Sequence, residues 1–261
     1  MSDIRARSFG VAAQRYERYR HGYPAEVANL VLGGLGDPSA LAAVEVGAGT
    51  GKATRVFASR GVRVTAVEPD PAMAAVLERV CAGLPVEVAS AGFEELDHPA
   101  GSVDVVYAAA AWHWVDPVIR WVRSARLLRT GGVVAAITGP VEPADPDLAE
   151  RLREFDRRFV DTTSVWGDDG TADPAELSWP GDELVASPYF CDVEEHHLVV
   201  RSSMTAEDMV GLILTVSSYL VLDEETRTRV LGEIHAMLPD IVDTTRDLTV
   251  HRAVRNDTPV G

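Results

Sequence analysis

The chain has 261 residues, 46% of them apolar and 25% charged, the proportions of an ordinary globular protein long enough for one large domain or a domain carrying an insertion. Its formal charge of −16 repels phosphate backbones, which argues against nucleic acid as a partner and in favour of a small molecule. Cys81 and Cys191 lack Cys-x-x-Cys spacing, so neither a disulfide framework nor a zinc site is expected, and the setting expected is reduced and cytoplasmic. The opening MSDIRARSFG has no apolar signal core, and the longest apolar stretch, 209–222, is interrupted by Gly211, Thr215, Ser217 and Ser218, so no membrane span is expected.

In chain order, SFGVAAQRYERYRHGYPAEVANLVLGGL reads as two helices broken at His21-Gly22-Tyr23-Pro24, because Gly and Pro punctuate and Pro suits a first helical position. These helices would form an N-terminal cover. From about 42 to 138, short β-rich runs (AAVEVG, VRVTAVEP, VEVA, VDVVYAA, GGVVAAIT) alternate with helical segments (GKATRVFASRG, PAMAAVLERVCAGL, PVIRWVRSARLLRT). Such alternation predicts an α/β fold: a Rossmann-like, mostly parallel sheet of seven strands with helices on both faces, binding its ligand beyond the carboxyl ends of the strands.

The stretch 139–193 is rich in proline and acid, with one helix expected over 146–160, and reads as an insertion forming part of a substrate lid. Trp166, Trp179, Tyr189 and Phe190 are its candidates for walling a pocket, together with an apolar face of the helix over 209–222. Residues 194–261 supply two more strands, EEHHLVVRS and DLTVHRAVR, around the helices TAEDMVGLILTVSSYLVL and EETRTRVLGEIHAML. The three parts, 1–138, 139–193 and 194–261, form one structural domain in this reading.

The segment VEVGAGTGKAT, 44–54, poses the question of ligand. A mononucleotide P-loop needs Gly-x-x-x-x-Gly-Lys followed by Ser or Thr, but Val46 and Ala53 occupy the positions where glycine and the hydroxyl are required. The dinucleotide pattern Gly-x-Gly-x-x-Gly would need glycine at position 52, where Lys52, the chain's single lysine, stands. What remains is Glu45, Gly47, Gly49 and Gly51, a side-chain-free turn that makes no demand for phosphates. About twenty residues on, at the end of the next strand, Glu68 can accept hydrogen bonds from both hydroxyls of a ribose, which points to an adenosyl ligand.

These motifs together resemble the class I S-adenosylmethionine-dependent methyltransferases, in their small-molecule, type 11-like branch. The resemblance covers about residues 8–137. It rests on the opening FGVAAQRYERYRHGYP, with Phe9, Ala13, Tyr16, Arg20, Tyr23 and Pro24 in place, and then on VEVGAGTG, AVEPDPAM, SAGFEEL, AAWHWVD and LLRTGGVVA in the family's order. It implies S-adenosyl-L-methionine as cofactor, S-adenosyl-L-homocysteine as product, and a cofactor-binding set of Tyr16, Arg20, Glu45, Gly47, Ala48, Gly49, Glu68, Pro69, Gly92, Phe93, Ala109 and Trp112. The chain departs from the pattern at His21, which replaces a proline, and at Thr130, which replaces another. Gly92 and Phe93 stand where an acid often reads adenine, so backbone contacts are expected there.

The resemblance places the Trp112-His113-Trp114 loop beside the methyl group, making His113 the candidate catalytic residue, as a proton acceptor or an orienter. A structural histidine between two packed tryptophans is the competing reading. Tyr16 and Arg20, spaced i, i+4, share a helical face and would hold the cofactor's carboxylate or an acidic substrate. No metal is expected: His196 and His197 are neighbours in a strand and point to opposite faces, and the acid-rich loop 166–170 reads as exposed loop. The function expected is methyl transfer to a carboxylate or hydroxyl of a small-molecule acceptor, and the sequence leaves a homodimer open. The alternatives are a cofactor-binding member without turnover, and a nicotinamide-dependent oxidoreductase, which would require glycine at position 52.

Overall fold

The computed structural model of the protein describes residues 13–159 and 177–260. Phe9 and the loop 166–170 lie outside them, as does Trp166. The first half of the chain builds strands β1 (Ala42–Val46), β2 (Arg63–Val67), β3 (Val86–Ala89), β4 (Val103–Ala109) and β5 (Leu128–Thr138), which pair in parallel in the order β3-β2-β1-β4-β5. Beyond β5 the sheet continues with β8 (Ile241–Arg255), antiparallel to β5, and then β7 (Phe190–Thr205), antiparallel to β8. A two-residue strand, β6 (Glu142–Pro143), also pairs with β8 and brings the count to eight. The Rossmann-like, mostly parallel sheet expected from the alternating pattern is present.

Both faces are covered because the central strands are apolar on both sides. On one face α2 (Ala25–Leu32), α3 (Thr54–Ala58) and α4 (Pro71–Val80) bury Val27, Val31, Phe57 and Leu77 against Val64, Tyr107 and Ile137. On the other, α5 (Arg120–Leu127) and α7 (Gly181–Ala186) bury Trp121, Ala125 and Leu184 against Val106, Val134 and Ala136. The helix α1 (Ala13–Tyr19) precedes α2 and is separated from it by His21-Gly22-Tyr23-Pro24, where the sequence places the break.

A third core lies apart from the sheet faces. It joins α6 (Pro146–Asp156), α8 (Ala206–Ile213), α9 (Ser217–Leu220) and α10 (Glu224–Met237), whose Leu152, Met209, Ile213, Val230 and Ile234 pack together with Val242. Since residues 241–245 of β8 extend past the carboxyl end of β5, this cluster sits at the ligand end of the sheet. Residues 206–238 therefore stand at that end together with α6 of the expected insertion. That insertion also stops sooner than expected: Phe190 opens β7, and α7 packs on the sheet, with Tyr189 and Phe190 joining its core rather than a pocket.

Two elements differ from the sequence pattern. The helix expected over 205–222 is broken at Leu214–Val216, where the Thr215 hydroxyl donates to the Leu212 carbonyl at 2.6 Å, a back-bond that competes with helix propagation. Strands β7 and β8 run 16 and 15 residues, longer than the runs EEHHLVVRS and DLTVHRAVR. Their polar ends are held by cross-strand pairs such as Ser202–Thr244 at 2.8 Å and Ser203–Asp243 at 2.7 Å, contacts that single-strand periodicity does not register.

Candidate functional site

The glycine loop follows β1 and turns sharply into α3. Gly47, Gly49 and Gly51 all have left-handed backbones, with φ of 63°, 58° and 84°. At Gly47 a Cβ would come within 2.6 Å of the Ala111 Cβ, so side-chain absence lets this loop abut the loop after β4. At Gly49 the nearest atom a Cβ would meet is Tyr16 Cε1 at 3.9 Å, which leaves an open backbone facing an aromatic wall. Ala48 is buried, and its N–H donates to the Val67 carbonyl at 2.9 Å, tying the loop to the end of β2.

Glu68 stands just past β2 and is 6% exposed. One of its oxygens accepts the Gly49 N–H at 2.7 Å and the other accepts the Asp70 N–H at 2.9 Å. Asp70 is itself fixed as the cap of α4, accepting from Ala72 N–H and Met73 N–H with Pro71 at the first helical position. Each Glu68 oxygen keeps acceptor capacity for a further donor. Burial pushes the Glu68 carboxyl above the ordinary range, against the pull of these two amides, so a ligand that brings hydroxyl donors to it relieves a desolvation cost. Pro69, partly buried, follows it.

Glu45 behaves differently from the ligand contact expected of it. It is 1% exposed, beneath the loop, and a single oxygen accepts Thr54 Oγ1 at 2.5 Å and Tyr107 OH at 3.0 Å. Burial raises its pKa to about 8, so its carboxyl is protonated at neutral pH and braces the loop from below.

The helix α1 docks onto this loop through Glu17, which no motif had singled out. Its carboxylate accepts Thr50 Oγ1 at 2.7 Å and Arg55 Nη1 at 2.9 Å and lies 3.3 Å from Lys52 Nζ, while Lys52 also donates to the Glu17 carbonyl at 2.5 Å. Tyr16 is thereby held over Gly49. Burial raises the Tyr16 phenol, with Arg20, Tyr23, Arg246 and Glu68 all within electrostatic reach. The Arg20 guanidinium lies 5.4 Å from the centre of the Tyr16 ring, and its Nε donates to Thr215 Oγ1 at 2.7 Å. Tyr16, Arg20, Gly49 and Glu68 are thus brought into one neighbourhood.

After β4, whose last residue is the partly buried Ala109, Ala110 takes a left-handed backbone at φ 55°, a strained state for a residue with a side chain. A single 3-10 turn, Trp112–Trp114, follows. Trp112 is 2% exposed and its Nε1 donates to the Ala135 carbonyl at 3.0 Å, so its indole belongs to the core and only its backbone can face a ligand. Phe93 is likewise buried, at the foot of Trp112, with Gly92 leading into a turn at 93–95.

His113 is exposed at the surface of this turn, its ring 4.6 Å from that of Trp114. Desolvation by its surroundings, followed by the Arg120 charge, holds its imidazole below the ordinary histidine range. It is therefore neutral at pH 7 and able to accept a proton. Arg120 is buried at 6%, with Nη1 3.4 Å from the Trp112 carbonyl and 3.8 Å from Glu183, and Trp179 lies across it at 5.5 Å. Of His196 and His197, the first meets Glu194 and the second meets Glu195 and Asp247, in keeping with opposite faces of a strand. A cleft lined by Asp145, Leu148, Arg151, Met237 and Asp243 lies at the far rim of the lid and takes in none of the loop residues.

A family model described as "Methyltransferase domain" matches residues 44–136, from β1 to near the end of β5. An uncharacterized methyltransferase of Mycobacterium tuberculosis is 33% identical over 235 residues, covering 88% of this chain and 85% of that protein. A Dictyostelium discoideum protein described as a methyltransferase is 27% identical over 239 residues, covering 91% and 87%. The solved structure of a protein from Anaeromyxobacter dehalogenans, described as a type II methyltransferase, superposes with a TM-score of 0.66 at 23% identity, over 90% of this chain and 98% of that one. The shared fold, the side-chain-free loop after β1 and the full-length likeness agree: the chain belongs to the class I S-adenosylmethionine-dependent methyltransferases.

Proposed function

We propose that the chain transfers a methyl group from S-adenosyl-L-methionine to a carboxylate or hydroxyl oxygen of a small-molecule acceptor, at the carboxyl ends of β1, β4 and β5. The observation that carries this reading is Glu68, a desolvated carboxylate aimed by Gly49 N–H and Asp70 N–H beside an open glycine backbone. That arrangement suits a ribose diol, and Lys52, the one cation within the loop 44–54, is turned back onto Glu17.

Glu68 and the backbone of Gly47, Ala48 and Gly49 would hold the ribose side of the cofactor, Tyr16 and Arg20 its carboxylate, and the backbone around Gly92 and Phe93 its adenine. Pro69, Ala109 and Trp112 complete the wall, and Glu45 supports the loop from beneath. The cofactor supplies an activated methyl on a sulfonium, so that one C–S bond breaks as one C–O bond forms. The protein's task is then alignment in a water-poor site, which supplies about 7–11 kcal/mol. For a hydroxyl acceptor His113 takes the proton, for which its neutral imidazole at pH 7 is suited; a carboxylate acceptor needs no base.

The test is transfer of radiolabelled methyl from S-adenosylmethionine to a set of small carboxylic acids and alcohols, with alkali used to separate labile esters from stable ethers. Labelled product in either class supports the reading. Binding of S-adenosylhomocysteine without transfer to any member of either set sinks the acceptor assignment, and stabilisation by NADH but not by S-adenosylhomocysteine sinks the cofactor assignment.

A further inference from the structure

Several cations in this acidic chain are closed by carboxylates. Lys52 and Arg55 share Glu17, Arg129 meets Asp104 at 2.6 Å, and Arg252 meets Glu194 at 3.6 Å. Two guanidiniums at the ligand end of the sheet are held instead by neutral groups. Among the described residues Arg20 has the neutral Thr215 hydroxyl as its hydrogen-bond partner, and Arg246 donates to two carbonyls, Nε to Gly139 at 2.9 Å and Nη1 to Gly22 at 3.1 Å. Neither has a carboxylate of the described residues within ion-pair distance, in a chain with 40 acidic residues against 24 basic ones. Neutral partners fix the geometry of a guanidinium while leaving its charge uncompensated, and they use only part of its five donors.

Position separates the two arginines. Arg20 leans on Tyr16, over the glycine loop. Arg246 belongs to β8, and its partner Gly139 follows directly on Thr138, the last residue of β5. It lies over the Tyr23 ring at 4.5 Å, a flat aromatic support that pre-orders the guanidinium plane. The cofactor loop caps β1 and β2, His113 stands past β4, and Arg246 stands past β5, so the three follow the strand order of the sheet. His21, partly buried where the family pattern has proline, registers the same convergence: after burial itself, Arg246, Lys52 and Arg20 hold its imidazole below the ordinary range.

Building on the methyltransferase reading above, we propose that Arg246 is the specificity-determining anchor for an anionic group of the methyl acceptor, so that the acceptor is a small carboxylic acid bound between Arg246 and His113. Arg20 is left for the carboxylate of the cofactor, and a separate cation serves each of two anions. A neutral acceptor would leave the Arg246 charge desolvated and unpaired as the lid covers it, which is a penalty a carboxylate removes.

The experiment is isothermal titration at saturating S-adenosylhomocysteine with acids paired to their own amides: hexanoate with hexanamide, 3-phenylpropanoate with 3-phenylpropanamide, and succinate with succinamide. The wild type is expected to prefer at least one acid over its amide by about tenfold or more. In Arg246→Gln that preference falls by about 10- to 100-fold, the range of a charge-assisted hydrogen bond, while Arg246→Lys keeps part of it. S-adenosylhomocysteine should bind both variants as it binds the wild type, which also shows that they fold. Preserved cofactor binding with no acid preferred over its amide overturns the inference alone. A preference that survives in Arg246→Gln overturns it as well. Parallel loss of S-adenosylhomocysteine and acid in both variants reassigns Arg246 to the cofactor, and failure of the wild type to bind S-adenosylhomocysteine removes the methyltransferase reading and this inference together.

Discussion

Two sets of cations gather around α1 with opposite outcomes. Toward the glycine loop, Lys52 and Arg55 are closed by the one carboxylate of Glu17; toward the lid, Arg20 and Arg246 meet only hydroxyl and carbonyl oxygens among the described residues. The first set docks one element of the protein on another, so its charge is used up in folding. The second is oriented by neutral groups and keeps its charge for whatever enters. The sheet cores carry the glycine loop, and the core of α6, α8, α9 and α10 forms a separate cluster.

The comparison can be tested at several strengths. The largest effect is expected at His113, proposed above as the proton acceptor. With a hydroxyl acceptor, His113→Ala should lower kcat by about 10²- to 10⁴-fold with S-adenosylhomocysteine affinity unchanged. In the wild type kcat/KM should rise with pH and level off below the ordinary imidazole value of 6.5, because a depressed pKa makes the basic form dominant before neutrality. A pH-rate profile that is identical in the variant would remove the role of base.

Next comes Gly47→Val, which adds a Cβ within 2.6 Å of Ala111 at a left-handed backbone and should lower stability by about 2–4 kcal/mol in urea unfolding. Glu68→Ala ranks after it, with S-adenosylhomocysteine affinity reduced about 10- to 100-fold by calorimetry; normal binding would mean that the ribose lies elsewhere.

The contrast between closed and open cations is sharpest in Glu17→Gln against Arg246→Gln. The first should destabilise the ligand-free protein by about 1–2 kcal/mol, since it leaves Lys52 and Arg55 partly buried without a counter-charge, and the second by less. Equal losses in thermal unfolding would erase the distinction drawn between the two sets.

A pH-dependent effect concerns Glu45, whose folded pKa of about 8 exceeds its ordinary value of 4.5. The native state then holds this proton more tightly than the unfolded chain. Its contribution is complete below pH 4.5 and is lost progressively as pH rises toward 8. Glu45→Gln, which mimics the protonated form, should flatten that decline, and a pH series of Tm values that stays parallel to the wild type would count against a protonated Glu45.

Much of the sheet was legible because β1 to β5 are short apolar runs set between helical segments, and an alternating pattern has few other solutions. Glycines 47, 49 and 51 were equally legible, each needing a backbone that side chains disfavour. Glu45 was misjudged as a ligand contact because sequence order does not say on which side of a loop a carboxylate falls; the hydroxyls of Thr54 and Tyr107 that claim it arrive from α3 and β4. Glu17 and Arg246 gave no signal for a related reason. Their roles arise from contacts over 33 to 224 residues of separation, and one surface charge looks like another until the fold brings its partners, or their absence, into view. The break at Thr215 was hidden inside an apolar run whose periodicity suited one long helix, and it is a side-chain hydroxyl shared by Leu212 and Arg20 that interrupts it.

The helix α1 couples the order of events during turnover. Its Tyr16 and Glu17 touch the glycine loop, while Tyr19 packs against Gly211 of the lid so closely that a Cβ there would come within 2.6 Å of the ring. A single seven-residue helix is therefore a shared wall of two compartments. Whatever shift in α1 one ligand favours, the other ligand must feel, and by thermodynamic linkage the factor is the same in both directions. Acceptor affinity measured with and without S-adenosylhomocysteine should then change by the same ratio as S-adenosylhomocysteine affinity measured with and without acceptor.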